Sequence, residues 1–229
     1  MTLHIHADIE QGSAEWEHLR RGMVTASTVG QLVTPSTLKP ASNLAARTLA
    51  ALLVAERVTG WTEPTYMSDD MVRGMEDEPR ARDLYAAYYS TPVTELGFMV
   101  REGEWGRLGY SPDGLVGDVG LIEVKSRAPK KHVATILADA VPAENMAQVQ
   151  AGLLVSGRSW LDYISYAGGL PMWTKRVYPD QAWHDAIKGA VAAFEMAAAD
   201  MEGRYWAAVK GLPETERVER AERFPEAVI

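Results

Sequence analysis

The chain contains no cysteine, and that absence removes disulfides, thiolate nucleophiles and thiolate zinc sites from the available chemistry. No stretch approaches the ~18–20 uninterrupted apolar residues that a bilayer-spanning helix needs. The opening Met1-Thr2-Leu3-His4-Ile5-His6 lacks the basic start and long apolar run of a signal peptide. A soluble protein of the cell interior, with no membrane partner, is therefore expected. Basic residues are in the minority, 23 Lys and Arg against 31 Asp and Glu, for a net charge of −8. That balance argues against a broad electrostatic footprint for nucleic acid. Charge acts locally, however, and a basic groove can sit on an acidic body. Histidine is sparse and scattered: His4 and His6 alternate as on a strand with no third partner nearby, so they are expected to face solvent. Repeats, low-complexity segments and linkers rich in Gly, Pro or Ser are also missing. The 229 residues, 47% of them hydrophobic, are enough for one large α/β domain over residues 1–229, with a core from about 11 to 210 and a charged, exposed tail at 213–229.

What is present centres on Ser111-Pro112-Asp113-Gly114, followed ten residues after Asp113 by Glu123-Val124-Lys125 inside an apolar run. Side chains alternate along a strand, so Glu123 and Lys125 project from one face and Ile122 and Val124 from the other. Two carboxylates at the end of a hairpin offer hard oxygen ligands suited to Mg²⁺, with Mn²⁺ as a substitute. A lysine beside them can orient a water or neutralise charge developing on a phosphate. Each residue also has an ordinary reading. Asp is common in a Pro-Asp-Gly turn for backbone reasons, and Glu123 with Lys125 could form a surface cross-strand pair. Against the latter, Leu121, Ile122 and Val124 suggest a buried strand, where unpaired charge is costly and a metal would offset the cost. The basic cluster Lys125, Arg127, Lys130 and Lys131 is either where phosphates approach or a solvated loop. Arg20, Thr25 and Ser27 put a cation and two hydroxyls near a helix start, a chemistry that cradles anions. Gln148 and Gln150 face different directions on one helix and need polar partners, such as phosphate or an active-site water. The tryptophans read as core or interface, with Trp61 and Trp105 left open in apparent loops.

The scaffold is read from caps, periodicity and turns. Ser13 caps a short helix containing Trp16 and Leu19 that ends at Gly22, and Thr25-Ala26-Ser27 starts the next turn. A helix over 42–58 carries an apolar stripe of Leu44, Leu49, Leu52, Leu53 and Val58, with Gly60 as its stop. Ser68 opens a helix to Tyr89, which Pro79 should kink. Strands are expected over 93–100, with an irregularity at Gly97, over 107–110 and over 121–125, the last two joined through the Pro112-Asp113-Gly114 turn. A helix with Pro142 at its first position runs to Ser156. Strands over 160–166 and 172–178 flank a Gly168-Gly169 turn, and Asp180 caps a helix to about Lys210. This order describes an α/β sandwich with a mixed central sheet flanked by helices.

Leu19-Arg20, Gly22, Thr25-Ala26-Ser27, Gly74 with Glu78, Ser111 to Gly114, Glu123-Val124-Lys125 and Met146-Ala147-Gln148-Val149-Gln150 follow one another in order. Together they resemble the phage lambda exonuclease family, also called YqaJ-like viral recombinases or alkaline exonucleases, of the PD-(D/E)XK nuclease superfamily. The resemblance spans roughly residues 11 to 155. It implies a restriction-endonuclease-like core and a Mg²⁺-dependent 5′-to-3′ exonuclease acting on ends of linear double-stranded DNA, releasing mononucleotides and leaving a 3′ overhang. The absence of cysteine excludes that superfamily's iron–sulfur branch. By the resemblance Asp113, Glu123, Glu78 and the Val124 carbonyl would hold metal, and Lys125 would position or activate the attacking water. Residue chemistry alone cannot choose among Glu76, Asp77 and Glu78; the family pattern selects Glu78. Arg20, Thr25, Ser27, Ser111 and Gln148 match a pocket for the terminal 5′-phosphate. The resemblance further implies a homotrimeric ring around DNA, a single-strand annealing protein as partner, and action in the bacterial cytoplasm from a phage or prophage origin. The same core could serve a structure- or sequence-specific endonuclease, and a non-catalytic DNA-binding assembly subunit is the reading from another class.

Overall fold

Capping side chains set most of the helix starts in the computed structural model, which describes residues 1–64 and 67–217. Ser13 opens α1 (Ala14–Arg20) and accepts the Trp16 N–H, and Thr25 opens the single-turn α2 (Ala26–Val29). Asn43 caps α3 (Leu44–Thr59), which ends at Gly60, and Ser68 caps α4 (Asp69–Tyr89). Pro129 stands in the first turn of α5 (Pro129–Ala138), and α6 (Ala143–Ser156) stops at Gly157. Asp180 caps the long α7 (Gln181–Ala208).

The strands fall into two main sheets. The five-stranded sheet is ordered β10 (Trp173–Val177), β9 (Trp160–Tyr166), β8 (Gly120–Ser126), β7 (Gly114–Val116) and β4 (Val93–Thr94). β8 and β9 run parallel and the other pairs antiparallel, so the sheet is mixed. A three-stranded antiparallel sheet joins β1 (Thr2–His6), β5 (Phe98–Gly103) and β6 (Gly106–Tyr110), and β2 (Val33–Thr34) with β3 (Lys39–Pro40) form a two-residue ribbon. The alternation of β8 divides the core. Ile122 and Val124 pack with Ala81 and Tyr85 of α4, whereas Leu121 joins the main core with Val149 and Leu153 of α6 and Ile187 and Phe194 of α7. Helices therefore cover both faces of a mixed sheet, the α/β restriction-endonuclease-like layout.

Several sequence expectations are corrected. The stretch over 93–100 is two strands, not one: β4 belongs to the five-stranded sheet and β5 to the other, with Gly97 between them. A Cβ at Gly97 would lie 2.0 Å from the Ile9 carbonyl oxygen, so the irregularity marks a close backbone crossing. β6 and β8 are not joined across the Pro112-Asp113-Gly114 turn, because the short β7 intervenes and pairs with β8 while β6 turns away into the other sheet. Leu44 and Leu52 are exposed, and α3 buries Ala46, Leu49, Leu53 and Val54 instead. Pro142 is the N-cap of α6 rather than its first helical residue. The segment after Arg127 is helix α5, not a loop. His4 is exposed, lying 3.6 Å from Glu102, while His6 is half-buried. Residues 213–217 of the expected tail are exposed, and 218–229 lie outside the described residues.

Candidate active site

The β7–β8 hairpin brings the two carboxylates together. Gly114 pairs with Ile122, which places Asp113 and Glu123 one step beyond at the open end. The Val124 N–H donates to Asp113 Oδ2 at 2.6 Å and fixes that side chain against the strand. Glu123 is only 1% exposed, so its charge must be satisfied inside the protein. It is. Lys125 Nζ donates to Oε1 at 2.8 Å, the Gln148 amide of α6 donates to the same oxygen, and Tyr110 OH donates to Oε2 at 3.2 Å.

α4 supplies the third carboxylate and separates the three acidic neighbours. Glu76 is exposed, and Asp77 is buried and accepts the Ser126 hydroxyl at 2.7 Å. Glu78 is half-buried, accepts Arg82 Nη2 at 2.7 Å, and lies within the field of Glu123 and Asp113. Burial pushes the Glu78 carboxyl above its usual value against the pull of Arg82, and Glu123 and Glu95 push it further. Asp113 is raised well above the carboxylate range, first by burial and then by Glu123 and Glu78, with Lys125 and the Val124 N–H opposing. Burial alone would lower the Lys125 ammonium, but Glu123 and Asp113 outweigh it and hold the group charged.

Among the described residues no group of three or more His, Cys, Asp and Glu side chains forms a ready metal cage. The residues nonetheless fit a hard divalent ion. Mg²⁺ keeps several waters and takes one or two protein carboxylates, and Asp113 and Glu123 supply those. Burial, and after it the repulsion of Glu123 and Glu78, disfavours a charged Asp113, and a cation would offset both.

A second cluster faces the same loop. Thr25 bridges Gly109 of β6, and the Gly109 N–H donates to the Val24 carbonyl at 3.0 Å. A Cβ at Gly109 would sit 2.4 Å from the Phe98 ring, so that ring packs over β6 only at a glycine. Thr25 and Ser27 lie there with their hydroxyls 3.1 Å apart. Arg20 on α1 stacks its guanidinium 3.8 Å from the centroid of Trp16. Burial lowers its pKa, which Glu56 and Glu17 only partly oppose. The Trp16 indole N–H donates to Ser111 Oγ at 2.8 Å. Gly22, at φ +65°, closes α1: its N–H donates to Glu56 at 2.7 Å and its carbonyl accepts Arg57 Nε at 2.6 Å.

Asp113, Glu123, Lys125 and Glu78 are thus gathered with Gln148, which contacts Glu123 rather than Arg20, Thr25 or Ser27. Gln150 turns the other way, donating to the Tyr178 carbonyl and accepting the Asp180 N–H, each at 2.9 Å. Of the basic cluster, Arg127 is buried against Asn145 and Tyr163, while Lys130 and Lys131 are exposed on α5. Sequence reading missed Tyr110, Arg82 and Trp16 as site residues. Tyr110 ends a strand and is indistinguishable there from core. Trp16 and Arg20 are four apart on a helix, and that spacing was the available signal.

The family model for the YqaJ-like viral recombinase domain matches residues 15–159. The crystal structure of the alkaline exonuclease LHK-Exo from Laribacter hongkongensis is similar to this chain at 32% identity and a TM-score of 0.78, covering 88% of this chain and 100% of that one. The same protein in complex with dAMP is similar at 32% identity, a TM-score of 0.77 and the same coverage. A phage-related exonuclease from Haemophilus somnus 129PT shares the fold at 14% identity, with a TM-score of 0.65 over 80% of this chain and 96% of that chain. No curated protein matches the chain.

Proposed function

The chain belongs to the YqaJ-like viral recombinase domain family, and from that premise we propose that it is a Mg²⁺-dependent 5′-to-3′ exonuclease of linear double-stranded DNA. The observation that carries this reading is the gathering of Asp113, Glu123, Lys125 and Glu78 at the open end of one hairpin. Asp113 and Glu123, with the Val124 carbonyl and Glu78, would hold the ion. When bound, it lowers the pKa of water and stabilises charge on the attacking and leaving oxygens. The protein's own groups do the rest. The Lys125 ammonium orients the water and offsets charge on the phosphate. Gln148 and Tyr110 fix the Glu123 carboxylate, and Val124 fixes Asp113, so that neither reorganises as charge develops. Water adds to phosphorus and the bond to the 3′-oxygen breaks, which releases a mononucleotide and leaves a new 5′-phosphate. The complex of LHK-Exo with dAMP, a deoxynucleoside monophosphate, supports a product of that class.

Arg20, Thr25, Ser27 and Ser111 would take the 5′-terminal phosphate, supported by a half-buried guanidinium that has no ion pair among the described residues. A homotrimeric ring would hold an acidic chain on DNA by topology rather than by charge. A single-strand annealing protein would receive the 3′ overhang in phage-type recombination, in the cytoplasm of a bacterial host. No described helix is long and apolar enough to cross a membrane. End-labelled linear duplex and closed circular DNA, each with and without Mg²⁺, test the reading. The expected result is mononucleotides from 5′ ends of the linear form in Mg²⁺ alone. Cutting of the circle would turn the assignment to an endonuclease, and no cutting at all to a non-catalytic subunit.

A further inference from the structure

Trp16 touches two residues of the proposed 5′-phosphate pocket, Arg20 and Ser111. On one side its ring lies 3.8 Å from the Arg20 guanidinium carbon. On the other its indole N–H donates to Ser111 Oγ at 2.8 Å. The two contacts have different chemistry. An arginine stacked on an aromatic face keeps all its N–H donors in the guanidinium plane, pointing outward from the ring edge. Arg20 spends none of these: among the described residues its half-buried guanidinium makes no hydrogen bond or ion pair. A cation in that position is held by packing and awaits an acceptor.

The serine is left in a matching state. Indole nitrogen is a donor only, so Ser111 must receive the Trp16 proton on a lone pair. Its own hydroxyl proton is then free to be given away, and no acceptor for it occurs among the described residues. Ser111 lies two residues before Asp113, whose carboxylate is bound to the Val124 N–H. One tryptophan thus holds a guanidinium over its face and a hydroxyl donor at its N–H edge, at the start of the loop that carries the first carboxylate.

Resting on the 5′-phosphate reading above, we propose that Trp16 is the positioning residue that sets Arg20 and Ser111 to grip a single terminal phosphate and registers that phosphate against the Asp113 loop. Its ring orients the guanidinium, and its N–H orients the serine. Preference for 5′-phosphorylated over 5′-hydroxyl ends therefore depends on both contacts, each separable by substitution.

Trp16→Phe keeps a ring beneath Arg20 and removes only the N–H, whereas Trp16→Leu removes both contacts. The measurement is the initial rate on matched 5′-phosphate and 5′-hydroxyl linear duplexes in Mg²⁺, taken as a ratio, with cooperative thermal unfolding checked for each variant. Trp16→Phe should lower the ratio about two- to tenfold, the range for one hydrogen bond, and Trp16→Leu should lower it further, towards that of Arg20→Ala. Ser111→Ala should also lower the ratio, and adding Trp16→Phe to it should bring no further loss, because the acceptor is already gone. A general structural defect would slow both substrates alike and leave the ratio in place. If Arg20→Ala abolishes the preference but Trp16→Phe leaves it at the wild-type value, or if Trp16→Phe and Ser111→Ala lose it additively, the role of Trp16 is overturned and the pocket stands. If the preference survives Arg20→Ala, the pocket itself is overturned and this proposal with it.

Discussion

The carboxylate cluster and the arginine cluster lie on either side of the Ser111–Asp113 loop and carry opposite imbalances. Around Asp113, Glu123 and Glu78 negative charge is crowded, and every available donor has been recruited to contain it: Lys125, Gln148, Tyr110, Arg82 and the Val124 N–H. Around Arg20 positive charge is scarce but unspent, held by an aromatic face rather than by a carboxylate. Arg57, which reaches Gly22 two residues beyond Arg20, is the ordinary case, with two hydrogen bonds to Glu195 at 2.8 and 2.9 Å and a third to the Gly22 carbonyl. The contrast teaches that the fold could have paired Arg20 and did not. On the proposed function one cluster would be completed by a cation from outside and the other by an anion, as a metal-dependent attack on a DNA end demands.

The sharpest way to break this comparison is to remove the excess charge. Asp113→Ala and Glu123→Ala should each lower the cleavage rate at saturating Mg²⁺ by on the order of 10²–10³ or more, the scale of losing one preorganised group at a transition state. Lys125→Ala should lose a similar amount while retaining much of its Mg²⁺ affinity by calorimetry, since an ammonium is not a ligand. Near-normal cleavage by Asp113→Ala would sink the assignment.

Ligand-induced stability separates the two clusters without any turnover. Inorganic phosphate at about a hundred times its dissociation constant should stabilise the wild type by about 2.7 kcal/mol, and Mg²⁺ should do likewise at its own site. Arg20→Ala should lose the first effect and keep the second, and Asp113→Ala the reverse. A variant that loses both would show the clusters to be one site.

Truncating the two arginines should affect folding unequally. Arg57→Ala breaks a half-buried bidentate pair and the clamp on Gly22, and should cost about 1–3 kcal/mol in urea unfolding. Arg20→Ala breaks no ion pair or side-chain hydrogen bond among the described residues and should stay within about 1 kcal/mol of wild type. Equal losses would mean that Arg20 is structural.

The smallest expected effect is the pH slope of the metal-free protein. Folded Asp113 holds its proton more tightly than the unfolded chain does. Between the ordinary carboxylate value of about 4 and the raised folded value, the native state binds more protons, so stability from this group is present at low pH and lost as pH rises. Asp113→Asn should flatten that slope in chelator-treated protein, as should Mg²⁺. An unchanged slope would place the repulsion elsewhere.

Sequence by itself determined the helix boundaries at Ser13, Ser68, Gly60, Gly157 and Asp180, because a cap is a contact within one turn of chain. It also determined that Glu123 and Val124 would face opposite layers, because strand alternation is equally local. Tertiary structure alone decided that β4 and β5 part at Gly97 into different sheets, that Gln148 turns to Glu123, and that Asp77 spends itself on Ser126 while Glu78 faces the carboxylates. It alone decided that the Arg20 guanidinium has no ion pair among the described residues while Arg57 does. These outcomes rest on partners from about 25 to 138 residues away along the chain and on which charges the packing removes from water. Neither the meeting of distant segments nor the desolvation that follows is encoded in any local window of residues.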